Sequence, residues 1–104
     1  SIDIHHIFPK HYLTLQGYEE DRDRNQIANY TYLDYSTNID ISDNPPVDYV
    51  EAYRKRLGED GYKTACAQNA LPENFEMLNY PDFLVERRKL MAQLIRKAYN
   101  KLSE

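Results

Sequence analysis

The chain opens on strand-like patterning and closes on helical patterning. Ile2 to Phe8 is a short run rich in β-branched and aromatic residues, closed by Pro9, which predicts a strand. Pro9 at a first helical position predicts a short helix through Leu15, ended by Gly17. Tyr18 to Arg24 is charged and has no apolar period, so it reads as a solvated loop. Asn29 to Leu33 sets Tyr30 and Tyr32 among small or polar residues, which predicts a second strand antiparallel to the first. Ser36 or Thr37 can then cap a short helix carrying Asn38, Ile39 and Ile41.

Helical periods take over after Asn44-Pro45-Pro46. Pro46 opens a helix with Val47, Val50, Tyr53 and Leu57 three or four residues apart, and Gly58 supplies a stop. Tyr62 to Ala70 predicts a shorter helix, ended by Leu71-Pro72. From Pro81 onward, Phe83, Leu84, Arg87, Leu90, Met91, Leu94, Ile95, Ala98 and Leu102 keep one helical period to the end. The opposite face of that helix is basic and polar, and reads as a solvated surface. No repeat, low-complexity tract or linker interrupts the pattern, so residues 1–104 read as one domain of the α+β class.

Composition narrows the choice of function. A chain of 104 residues can bury one core, and 41% hydrophobic with 29% charged residues excludes wholesale disorder. No apolar run approaches the ~20 residues of a membrane-spanning helix, so no membrane partner is expected. The single cysteine, Cys66, excludes a disulfide framework and a four-cysteine zinc site. Lying between Ala65 and Ala67, it reads as a small core hydrophobe, and a lone thiol suits a reducing, cytoplasmic setting. Thirteen Lys and Arg against seventeen Asp and Glu give a net charge of −4. That balance argues against a chain that grips nucleic acid unaided. Ten tyrosines with no tryptophan read mainly as half-buried core residues with a polar end, and only secondarily as stacking platforms.

The candidate chemistry gathers near the N-terminus, where His5, His6 and His11 lie. Neighbouring strand residues face opposite ways, so His5 and His6 share a site only where the strand ends or bulges. Pro9 makes such an ending plausible. The plain alternative is one satisfied core histidine and one exposed one, with His11 on the surface, Asn29 in a turn and Asn38 capping local backbone.

The string His5-His6-Ile7-Phe8-Pro9, followed by Asn29-Tyr30-Thr31-Tyr32-Leu33 and then Asn38, resembles the HNH nuclease motif, the ββα-metal or His-Me finger fold. More closely, it is similar to the C-terminal nuclease domain of GmrSD-type modification-dependent restriction enzymes. Ile27-Ala28-Asn29-Tyr30-Thr31, Thr37-Asn38-Ile39, Pro46 to Tyr49, and Phe83-Leu84 with Arg87 carry the same likeness. The resemblance implies a ββα-metal motif over residues 1–44 and a helical extension over 45–104, belonging to a larger protein. It implies a metal-dependent DNA endonuclease, the cutting part of a restriction or phage-defence system. An N-terminal nucleotide-hydrolysing domain would select the target, and a homodimer would suit cutting of both strands.

In this reading His6 is the general base, and Asn29 holds the loop through side-chain-to-backbone hydrogen bonds. His5 and Asn38 hold one divalent metal ion. His6 Nε2, His5 and Asn38 Oδ1 must then converge on one point. Many HNH domains carry Asp where His5 stands and His where Asn38 stands, so no ligand carboxylate comes from these positions. Mg²⁺ or Mn²⁺ is the expected ion, and imidazole with an amide oxygen would also suit Zn²⁺ or Ni²⁺. The alternative is a catalytically degenerate HNH fold kept as a nucleic-acid-binding or protein-assembly module.

Overall fold

A computed structural model describes residues 2–34 and 44–103. The chain is a mixed α+β protein, mostly helical, with one small antiparallel sheet. Strand β1 (Ile2–His6) pairs with β2 (Tyr30–Asp34) in a continuous register that runs from Ile2 opposite Asp34 to His6 opposite Tyr30. The first strand is shorter than the apolar run that predicts it. Ile7 N–H still donates across the ribbon, in register, to Asn29 O at 2.8 Å, and the backbone departs at Phe8, which bonds the Asn29 side chain instead. Helix α1 (Lys10–Leu15) follows with Pro9 as its N-cap, and Gly17 (φ 98) marks its end.

The charged stretch expected to be a loop contains one helical turn, α2 (Asp21–Arg24). No apolar period signals it, because side-chain bonds hold it instead. The Arg24 guanidinium donates to Asp21 Oδ1 within the turn and reaches across to Thr14 Oγ1 of α1 at 2.7 Å. A single 3₁₀ turn, Ile27–Asn29, then leads into β2. The helix expected after β2, which would complete a ββα core and carry Asn38, lies outside the described residues.

Helix α3 (Pro46–Gln68) consists of two helical segments that meet at a kink at Gly58, as the two expected helices do. Gly58 takes φ 74 and ψ 165, a non-helical backbone that ends the first helical segment where the pattern predicts a stop, and a Cβ there would be strained. Its first segment buries Tyr49 and Val50, while Val47, expected on the same apolar face, is exposed. At the far end Leu71 N–H bonds Cys66 O and Ala70 N–H bonds Ala67 O. That is a Schellman stop with Ala70 at φ 54 in the place glycine usually takes. Helix α4 (Tyr80–Leu102) starts where Asn79 caps it, its Oδ1 accepting from Asp82 N–H at 2.9 Å.

The core gathers Ile7, Phe8, Leu13, Val50, Cys66, Phe75, Phe83 and Leu84 with three buried tyrosines, Tyr49, Tyr62 and Tyr80. Cys66 is one of its small members. Each of these tyrosines ends on a backbone carbonyl: Tyr49 on Ile7, Tyr62 on Glu73, Tyr80 on Asp23, at 2.8, 2.9 and 2.6 Å. Their rings fill the interior, and their hydroxyls satisfy loop carbonyls that Phe would leave unpaired. Burial pushes all three phenols well above the ordinary tyrosine range, Tyr80 to about 12. Among the described residues, no helix is long and apolar enough to cross a membrane.

Candidate functional site

The turn after β1 is fastened from several sides. Asn29 is fully buried at the end of its 3₁₀ turn, and its amide meets Phe8 in both directions. Phe8 N–H donates to Asn29 Oδ1 at 2.8 Å, and Asn29 Nδ2 donates to Phe8 O at 2.9 Å. A third bond from Asn29 Nδ2 reaches Arg24 O at 3.3 Å. From the other side Tyr49 donates to Ile7 O, and the Phe8 ring packs on Phe83 and Tyr80 with centroids 4.9 and 5.5 Å away. A buried amide of this kind must have partners, and it takes them from a segment that has left its ladder.

His6 stands at the mouth of this turn, half buried. Its ring tilts against Tyr30, its partner across the ribbon, at 4.8 Å between centroids. Its Nε2–H donates to Asn25 Oδ1 at 2.9 Å. Held so, a neutral imidazole has its lone pair on Nδ1. The nitrogen expected to meet the other site atoms is thus engaged by Asn25.

His5 lies opposite Thr31, also half buried. Pairing continues through both histidines, so their side chains leave the ribbon on opposite faces, and the strand does not itself bring them to one point. Asn38, the second ligand that the resemblance implies, lies outside the described residues. The donor that His5 offers is an imidazole, where many HNH domains offer a carboxylate. That suits Mn²⁺, Zn²⁺ or Ni²⁺ at least as well as Mg²⁺. Among the described residues no three His, Cys, Asp or Glu side chains are grouped to hold a metal. Lys10 does not reach into the turn: its ammonium lies 3.5 Å from Asp21. Arg24, then Lys10, holds the exposed Asp21 carboxyl below the usual carboxylate range.

Two further residues hold this region together, and they differ in the sequence signal they leave. Asn25 follows a charged stretch and looks like any loop asparagine. Arg87 does leave a trace, since a guanidinium occupies an apolar position of the α4 period. It is buried and donates through Nη1 to Ala28 O and Tyr30 O and through Nη2 to Asn69 O. One side chain thus ties α4 to the 3₁₀ turn, to β2 and to the end of α3. Burial pulls the guanidinium down to about 10, which leaves it a cation at neutral pH. No family model, no curated protein and no solved structure matches the chain, so the site stands on its own geometry.

Proposed function

We propose that this chain is a metal-dependent DNA endonuclease domain of the HNH type, the cutting part of a cytoplasmic restriction or phage-defence enzyme. The observation that carries the reading is the two-way bond between buried Asn29 and Phe8, which fixes the turn directly after His6. A general base needs such fixing, because proton transfer depends on its position to within a fraction of an ångström. His6 accepts a proton from the water that attacks phosphorus as the bond to the departing 3′ oxygen breaks. With Nε2–H held by Asn25, Nδ1 is the accepting nitrogen. Asn29 and Asn25 position the base and do no chemistry themselves. A divalent cation held by His5 and Asn38 would supply positive charge to the scissile phosphate and the leaving oxygen. Target selection falls to an N-terminal nucleotide-hydrolysing domain, in keeping with the net charge of −4.

A second reading has an observation in its favour. Unbroken pairing through His5 and His6, with Nε2 already bonded, is what a degenerate HNH fold kept for binding or assembly would retain. Nicking of supercoiled plasmid at low salt separates the two. The nuclease reading expects nicking with Mn²⁺ or Mg²⁺ and none with excess chelator. A folded chain that binds neither ion in a calorimetric titration and nicks no plasmid supports the degenerate fold.

A further inference from the structure

Beyond Met91, which packs against the core, every described residue of α4 is exposed, its apolar stripe included. Ile95 and Leu102 lie on the helical period that buries Phe83 and Leu84, yet they are 68% and 87% exposed. The stripe runs into an open groove of about 660 Å³. Arg87, Ala70, Met91, Leu94 and Ile95 line it together with Ile27, itself 75% exposed. Contiguous exposed apolar surface bordered by polar residues marks an interaction site.

Charge says what kind of partner fits. From Arg87 to Leu102 the helix carries six cations and no carboxylate, so all seventeen Asp and Glu residues lie elsewhere in the chain. By the helical period, Lys97 and Lys101 flank the stripe beside Leu94, and Arg88 flanks it beside Ile95. Among the described residues, no carboxylate pairs with Lys97 or Lys101. A second copy laid along the stripe would set cation against cation. A nucleic-acid backbone would meet the cations and leave the leucine and isoleucine side chains in water. An acidic amphipathic helix satisfies both features at once, its apolar side in the groove and its carboxylates against the flanks.

We propose that the groove and the distal stripe of α4 dock an acidic amphipathic helix of a partner protein. The probe is a fluorescein-labelled synthetic helix with leucines at three- and four-residue spacing and glutamates beside them, titrated with the whole chain by anisotropy. Saturable binding is expected, weakened by added salt. Leu94→Ser with Ile95→Ser should weaken it by about tenfold or more, since two apolar side chains lose their burial. Both positions are solvent-facing, so circular dichroism should show an unchanged fold. Lys97→Glu with Lys101→Glu should weaken it comparably, and a peptide with lysines in place of the glutamates should bind about tenfold more weakly or worse.

Five results overturn the proposal. The acidic peptide fails to saturate; the serine variant binds it as tightly as wild type, leaving charge alone; or the lysine peptide binds equally well. The fourth is a wild-type dimer in sedimentation, abolished by the serine changes, which assigns the stripe to a second copy. Random-sequence duplex DNA that binds the serine variant and wild type alike, and displaces the peptide, would also overturn it by giving the cations to nucleic acid.

Discussion

Along α4, the first turns bury Tyr80, Phe83, Leu84 and Arg87, whereas every described residue from Ala92 onward is exposed. The two halves share one helical period and one alternation of apolar and charged positions. They differ in what meets them. The first half faces Phe8, Phe75 and the 3₁₀ turn before β2, and its one polar intruder finds three carbonyls. The second half is exposed along its whole described length. Periodicity thus identifies which face of a helix is apolar, while the neighbouring elements decide whether that face is covered.

The sharpest way to break the covered half is Arg87→Ala. It removes the link between α4, β2 and the end of α3, leaves a cavity and orphans carbonyls. A loss of about 3–5 kcal/mol is expected, measured by urea unfolding. Asn29→Ala follows at about 2–3 kcal/mol, because Phe8 N–H and C=O lose their partner in a buried turn. If Asn29 also positions the base, a variant still folded in native buffer should cut poorly as well.

The buried tyrosines add a pH dependence that the exposed half cannot produce. An unfolded tyrosine loses its proton near ~10, but folded Tyr80 holds it to about 12, and Tyr49 and Tyr62 are also raised. Their contribution to stability is therefore complete below pH 10 and falls as pH rises from 10 toward 12. Thermal unfolding at stepped alkaline pH should show this loss, and Tyr80→Phe should reduce it without removing it. The smallest effect belongs to Ala70→Gly. Relieving a positive φ in the Schellman stop should raise stability by about 1 kcal/mol, read as a higher urea midpoint.

Much of this architecture was legible because proline and glycine punctuate it. Pro9, Pro46 and Pro81 mark helix starts at or within a residue of those found, and the antiparallel pairing of the two N-terminal strands follows from their patterns. Elements held by tertiary bonds were not legible. The α2 turn depends on Arg24 reaching Asp21 and Thr14, and β1 gives way to a turn where the Asn29 side chain takes up the Phe8 backbone. Gly58, by contrast, breaks the helical backbone where the pattern predicts a stop, and a second helical segment follows it. At the candidate site, the histidine pair and Asn29 stood out by type and spacing. The bond from His6 Nε2 to Asn25 did not, since it depends on the path of an intervening loop.

The most direct test of the proposed chemistry is the single-turnover nicking rate of supercoiled plasmid with Mn²⁺, wild type beside His6→Ala. Both proteins must first show the same circular dichroism and urea midpoint. With His6 as the base, the variant should be slower by about 10²–10⁴-fold. Equal rates in the two proteins would contradict the assignment of His6 and, with it, the nuclease mechanism built on this turn.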